Sequence, residues 1–286
     1  MTFTTRFAPS PTGPLHLGHA YSALVAHDMA VRNAGRFLLR IEDIDQSRAR
    51  MEWEDRIYDD LIWLGISWEK PVMRQSQRMG IYRDALAGLW ARGLLYPCFC
   101  NRRDIQQAVS APQEGAPLTG PDGLIYPGTC HALPRDPGAP LPDNTALRLD
   151  LKAAIALLPP RMSFTETGRS GAAEHFRFEP LELSSRIGDI VLCRRDMGTS
   201  YHLSVVLDDA DQEVTRVVRG EDLFDATIIH VVLQQLLGLP TPVYHHHQLI
   251  RDSHGKRLAK RDDARAIALF RNEGASPDDI RRMVGL

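Results

Sequence analysis

Phe3-Thr4-Thr5-Arg6-Phe7-Ala8 runs into Pro9-Ser10-Pro11-Thr12-Gly13-Pro14 and then Leu15-His16-Leu17-Gly18-His19-Ala20, and this succession decides the fold. The first piece reads as a strand, and the Pro/Gly punctuation breaks it. Leu24, Val25, Met29 and Val31 then recur at helical spacing until Gly35. Arg36-Phe37-Leu38-Leu39-Arg40-Ile41 reads as a second, buried strand. Helical stretches follow from Trp53 to Leu64 and from about Arg78 to Arg92, the latter closed by Gly93. Strand, loop, helix, strand, helix is the order of a doubly wound α/β unit. Such units bind ligands beyond the carboxyl ends of their strands and at a helix N-terminus, which is where His16-Leu17-Gly18-His19 stands.

The rest of the chain agrees with an enzyme-sized α/β protein. Of 286 residues, 43% are hydrophobic and 24% charged, which excludes a disordered tail or a coiled coil. Lys+Arg 34 against Asp+Glu 36 leaves −2, so nucleic-acid binding would have to come from a local patch. No apolar run is long enough to span a membrane, and Met1-Thr2-Phe3-Thr4-Thr5-Arg6 is not a signal-peptide core. Four cysteines do not make a disulfide scaffold in a chain this long. A cytoplasmic, monomeric protein with no membrane partner is expected.

Composition shifts at about Pro97, after which three of the four cysteines and many prolines and glycines appear. Strand patterns return at Ala146–Leu149 and Asp189–Leu192. Tyr201 to Val218 is dense in Leu and Val, Gly220-Glu221-Asp222 breaks it, and a helix spans about Asp225 to Leu237. The expected division is a first core half over 1–96, an insertion over 97–188 and a second core half over 189–240. A nucleotide-loop and short helical segment over 241–286 completes it.

Two elements carry nucleotide chemistry. His16 and His19 can donate to phosphoryl oxygens as charge moves onto a leaving pyrophosphate, and Gly18 lets the backbone approach a base or ribose; capping or packing is the competing reading. Gly255-Lys256-Arg257-Leu258-Ala259-Lys260-Arg261 is a basic loop whose lysines suit mobile pairing with phosphates; a solvated loop is the competing reading. Cys98-Phe99-Cys100, with Tyr126-Pro127-Gly128-Thr129-Cys130 following after 25 intervening residues, reads as a structural zinc knuckle. Tyr126 and His131 compete for the fourth position. Cys193 reads as core, and His245-His246-His247 resembles a metal run but lies beside the predicted nucleotide loop, which disfavours a metal site.

In this order, the two nucleotide elements resemble the His-Ile-Gly-His and Lys-Met-Ser-Lys-Ser signatures of class I aminoacyl-tRNA synthetases. Arg6-Phe7-Ala8-Pro9-Ser10-Pro11-Thr12-Gly13, Arg40-Ile41-Glu42-Asp43-Ile44-Asp45, Tyr201-His202-Leu203 with Asp208-Asp209, and Arg219-Gly220-Glu221-Asp222-Leu223 resemble its glutamyl members. The resemblance implies a Rossmann-type class I catalytic core with a zinc-bearing insertion. It implies ATP as substrate, with Mg2+, bound by His16, Gly18, His19 and Lys260, of which His16, His19 and Lys260 are catalytic. It also implies an L-glutamate site of Arg6, Phe7, Ala8, Pro9, Ser10, Glu42, Tyr201 and Arg219. Glutamate's two carboxylates and one ammonium call for two guanidiniums and an acid, although the sequence does not say which arginine takes which carboxylate.

The Cys-x-Cys…Tyr-x₃-Cys spacing resembles the zinc site of a short glutamyl-synthetase branch, which implies Cys98, Cys100, Tyr126 and Cys130 as ligands. Only 26 residues follow Lys260, where ordinary glutamyl-tRNA synthetases continue into an anticodon-binding domain, so none is expected. The short branch esterifies glutamate to the queuosine base in the anticodon of tRNA(Asp), which makes that tRNA the implied partner. A truncated enzyme charging tRNA(Glu) and a non-catalytic tRNA-binding paralogue are the alternatives. Arg257 and Ala259 depart from the usual lysine and serine of the second signature.

Overall fold

The computed structural model describes residues 2–109, 119–251 and 265–286. Its first half is β1 (Thr4–Phe7), α1 (Leu17–Arg32), β2 (Arg36–Ile41), α2 (Met51–Trp63), β3 (Glu69–Arg74) and α3 (Met79–Ala91). The insertion begins with β4 (Leu95–Cys98) and α4 (Arg102–Val109). It continues through β5 (Thr119–Gly120), β6 (Gly123–Leu124), β7 (Ala146–Leu149) and α5 (Leu151–Ile155). Then come β8 (Met162–Glu166), β9 (Glu174–Phe178), α6 (Leu183–Arg186) and β10 (Val191–Cys193). The last part is α7 (Tyr201–Asp211), β11 (Arg216–Gly220), α8 (Thr227–Leu237), β12 (Val243–His247), α9 (Ile267–Asn272) and α10 (Pro277–Val284).

β1, β2 and β3 form a parallel sheet, as expected of strands joined by crossover helices. A second sheet has the order β11-β12-β8-β9, and the two meet where the Thr215 N–H donates to the Thr4 carbonyl at 3.0 Å. Ala20, Ala23 and Leu24 bury one face of α1 under Phe7, Leu39 and Ile41. Each fully buried leucine there contributes on the order of 2 kcal/mol. Ile280 and Val284 of α10 join this cluster, and the Arg281 guanidinium forks onto Asp28 of α1 at 2.8 and 3.0 Å.

Two placements differ from the expected division. β8 and β9, within 97–188, belong to the core sheet, since β8 runs parallel to β12 with Glu166 opposite Tyr244. β8 alternates burial, with Met162, Phe164 and Glu166 inward, and it shields the flank of β12 that would otherwise expose a ladder edge. Conversely β10, within 189–240, pairs with β7, which also pairs with β4, to close a separate antiparallel sheet in the insertion. The Leu/Val-rich stretch from Tyr201 splits into α7 and β11.

Candidate active site

The carboxyl end of β1, the start of α1, the residue after β2, the start of α7 and the end of β11 enclose a cavity of about 540 Å³. Arg6, Phe7, Ala8, Pro9, Ser10, His16, Gly18, His19, Glu42, Tyr201 and Arg219 all line it. Lys260, with Arg257 and Ala259, lies outside the described residues. On either side of that stretch, Ile250 lines the cavity and the Ile267 N–H donates to the Leu15 carbonyl beside His16, at 2.9 Å.

The two histidines both cap the helix and face the cavity. His16 Nδ1 accepts from the Gly18 N–H at 3.1 Å, and His19 Nδ1 accepts from the His16 N–H at 3.2 Å. With both Nδ1 atoms accepting, each neutral ring carries its hydrogen on Nε2. The rings lie 3.8 Å apart between centroids. A Cβ on residue 18 would meet the His16 ring at 3.1 Å, so glycine keeps this corner open.

Beneath the cavity floor lies a buried charge network. Arg6 forks onto Asp209, Nε to Oδ1 at 2.9 Å and the second nitrogen to Oδ2 at 3.2 Å. Arg40, wholly buried in β2, donates to Asp209 at 2.7 Å and to Glu42 at 3.1 Å. Asp208 is answered by Arg78 at 2.7 Å, Gln75 at 2.8 Å and the Tyr82 hydroxyl. Losing one partner of such a network typically costs about 3–5 kcal/mol, because a charge is left buried alone. Burial opposes ionisation of Asp209, but Arg6 and Arg40 hold its carboxyl below the usual range. Burial wins at Glu42, whose carboxyl is raised despite Arg40 and Arg6.

Arg219 is seated differently. It donates to His246 Nε2 at 3.0 Å, His230 Nδ1 at 3.0 Å, Thr227 Oγ1 at 2.7 Å and the Leu223 carbonyl at 3.2 Å, all neutral acceptors. Because His246 Nε2 accepts, its Nδ1 carries the hydrogen and donates to Glu166. Burial works against the Glu166 charge, yet hydrogen bonds from His246 and Gly168 bring its carboxyl down to about 2. Burial and then the charge of Arg219 hold His230 well below the ordinary histidine range. Sequence reasoning missed Glu166, His230 and His246 in this role. The signal for His246 was strand alternation, which turns the middle histidine of the run away from its neighbours; His245 instead meets Thr167 at 3.0 Å.

In the insertion, the sulfurs of Cys98, Cys100 and Cys130 lie within 4.8 Å of one another. The Tyr126 hydroxyl stands 3.6 Å from Cys98 Sγ and 3.4 Å from Cys100 Sγ. Tetrahedral zinc, with Zn–S near 2.3 Å, needs ligand atoms roughly 3.8 Å apart, so these donors fit. Burial raises the Cys130 thiol, but hydrogen bonds, Tyr126 first, bring it down to about 7. Arg148 Nε donates to Cys98 Sγ at 3.2 Å. His131 turns its Nε2 to Asp150 at 3.1 Å. Cys193 is buried elsewhere, its thiol pushed up to about 11 by burial.

The family model described as "tRNA synthetases class I (E and Q), catalytic domain" matches residues 2–117 and 164–286. A Rhodobacter capsulatus protein named glutamyl-Q tRNA(Asp) synthetase is 62% identical over 282 residues, with 99% of each chain covered. The chain belongs to the glutamyl-Q tRNA(Asp) synthetase family. A member of that name from Symbiobacterium thermophilum is 41% identical, over 96% of this chain and 83% of its own length. Among solved structures, a glutamate tRNA ligase from Elizabethkingia meningosepticum in complex with its amino acid superposes with TM-score 0.75 at 25% identity. The chain spans 61% of that ligase's length. Membership of this family makes the α/β core a class I catalytic domain that uses ATP. The unmatched stretch, 118–163, falls within the insertion. No helix among the described residues is long and apolar enough to cross a membrane.

Proposed function

We propose that the protein activates L-glutamate with ATP and transfers it to the queuosine base in the anticodon of tRNA(Asp). An oxygen of the glutamate α-carboxylate attacks the α-phosphorus of ATP, and the bond to the departing pyrophosphate breaks, leaving glutamyl-adenylate. A hydroxyl of the queuosine cyclopentene diol then attacks the carbonyl carbon. It loses its proton as the ester forms and AMP leaves.

The observation that carries this reading is the unequal seating of the two cavity arginines. Arg6 is already forked by Asp209, whereas Arg219 meets only neutral acceptors among the described residues. Arg219 is therefore the cation that takes the side-chain carboxylate, and Arg6 supports the α-carboxylate side. Glu42 pairs with the ammonium, and Ser10 and Tyr201 add neutral hydrogen bonds. His16 and His19 donate hydrogen bonds from Nε2–H to phosphoryl oxygens as negative charge moves to pyrophosphate, and Lys260 pairs with the phosphates; Mg2+, when bound with ATP, would supply further charge neutralisation. Cys98, Cys100, Tyr126 and Cys130 hold a structural zinc. Four protein donors leave that ion no open position for catalysis.

The test is glutamylation with purified RNAs. Queuosine-containing tRNA(Asp) and its excised anticodon stem-loop should accept glutamate, and the same tRNA lacking queuosine should not. Efficient charging of unmodified tRNA(Glu) at its 3′ end would refute the proposal.

A further inference from the structure

A row of side chains leads from Arg219 away from the cavity into the insertion. The terminal nitrogen of Arg219 stands 3.0 Å from His230 Nδ1. His230 Nε2 stands 3.1 Å from His202 Nδ1, and His202 Nε2 stands 3.1 Å from Asp122 Oδ1. A guanidinium only donates and a carboxylate only accepts, so the two ends dictate every hydrogen between them. His230 accepts on Nδ1 and donates from Nε2; His202 does the same and delivers its hydrogen to Asp122. A protonated imidazole at either place would set N–H against N–H, so both rings are neutral.

The burial gradient matches this direction. His230 and His202 are buried, at 2% and 6% exposure, while the Asp122 side chain is 47% exposed. Asp122 occupies the turn between β5 and β6 and lines a second cavity of about 370 Å³, which shares Glu42 and Tyr201 with the first. Tyr201 packs its ring edgewise on both histidines, at 5.5 and 5.6 Å, so the row also forms one wall of the substrate cavity.

We propose that His202 and His230 are positioning residues that orient Arg219 for the substrate carboxylate and make its seat depend on Asp122 in the insertion hairpin. This rests on the reading that Arg219 pairs with glutamate. Without Asp122, the His202 hydrogen is free to move to Nδ1, where it opposes the His230 N–H. If His230 shifts its hydrogen in turn, it opposes Arg219. Each lost link therefore propagates as donor facing donor, and an unpaired buried donor costs more than the hydrogen bond it replaces.

Glutamate and ATP KM values from pyrophosphate exchange, with glutamate affinity from calorimetry on the full chain, test the relay. His202→Phe removes the acceptor and should raise the glutamate KM roughly tenfold, with the ATP KM unmoved. His202→Asn keeps an acceptor oxygen near the position of Nδ1 and should stay within about twofold of wild type. Asp122→Ala should raise the glutamate KM about threefold, since water partly replaces an exposed carboxylate. That rise should vanish in the His202→Asn background, where no hydrogen reaches Asp122. Equal glutamate KM for His202→Phe and wild type overturns the proposal, as does an Asp122→Ala effect that persists beside His202→Asn. Should His202→Phe not fold, the Asp122→Ala and His202→Asn pair decides alone. A wild-type protein that binds no glutamate refutes the reading of the pocket, and the relay falls with it. Wild-type binding that no variant alters refutes only the relay.

Discussion

Replacing Arg219 by alanine tests recognition. In the proposed pocket the variant removes three donor nitrogens from the cavity wall, and the substrate's side-chain carboxylate loses a partly desolvated cation. Unpairing a charge in this way costs about 2–5 kcal/mol, or roughly 30- to 4000-fold in glutamate affinity. The fold weakens as well: His246, His230, Thr227 and the Leu223 carbonyl each lose a donor, at about 1–3 kcal/mol for any that stays dry, while Glu166 keeps its bond to His246. All four are neutral, and water admitted to the vacated space can pair with them again. In the protein that remains folded, the glutamate KM in pyrophosphate exchange should rise while the ATP KM is little changed.

A second readout follows from His246. Burial lowers its pKa most, the charge of Arg219 lowers it further, and Glu166 opposes both. With Arg219 gone, Nε2 no longer has to accept, and the ring can take a second hydrogen while Nδ1 still faces Glu166. Protonation grows as pH falls, so the cation is partly restored at acid pH. The ratio of variant to wild-type glutamate KM should narrow between about pH 8 and pH 6. A glutamate KM within about twofold of wild type would remove Arg219 from recognition. A ratio independent of pH would remove the compensating role of His246.

The metal reading predicts about one zinc per chain in freshly purified protein, lost in Cys98→Ser and Cys130→Ser with a fall in melting temperature. His131→Ala should retain the ion, because its Nε2 is engaged by Asp150; a metal-free wild type by elemental analysis contradicts the assignment. Stability should also fall in acid, in two stages. His230 and His246 have folded pKa values depressed below 6.5, chiefly by burial, so the unfolded chain binds more protons. Their contribution is complete above pH 6.5 and declines as pH falls below it. Glu166, at about 2, and the lowered Asp209 add a second loss as pH falls below their ordinary range near 4. A melting temperature that is flat from pH 7 to pH 5 would contradict the first stage.

Much of the site was legible because its residues follow strand ends directly. The strand predicted from the apolar run Arg36–Ile41 is β2 as observed, and Arg6, His16, His19 and Glu42 converge because parallel strands deliver their carboxyl ends to one edge. What failed to show was non-local. Glu166 reaches His246 across a pairing of β8 with β12, and local periodicity does not reveal which strand neighbours which. β3 escaped notice because Lys70 and Pro71 interrupt any apolar alternation and its first residues are exposed. Arg40, set between Leu39 and Ile41 in an apolar strand, was the readable sign of a buried network, since an unpaired guanidinium there would be untenable.

If the cavity takes glutamate as proposed, the two ways of seating an arginine explain how it discriminates. In direct hydrogen-bonding contact around it stand three guanidiniums, Arg6, Arg40 and Arg219, against two carboxylates, Asp209 and Glu42. Asp208 is answered separately by Arg78. Two further acids, Glu166 and Asp122, are held one and two imidazoles away from Arg219, and Asp222 also lines the cavity. Neutral imidazoles let a guanidinium be fully hydrogen-bonded without being neutralised on the spot, because Coulomb attraction weakens with the separation they impose. Among the described residues, no carboxylate is hydrogen-bonded directly to Arg219. In the proposed pocket, glutamate supplies that carboxylate. Glutamine is nearly the same shape but has no net charge, and its amide NH₂ adds a donor where Arg219 already donates. A carboxylate bonded directly to Arg219 would remove this distinction, so in the proposed pocket the histidines at 230 and 246 serve selectivity through what they decline to neutralise.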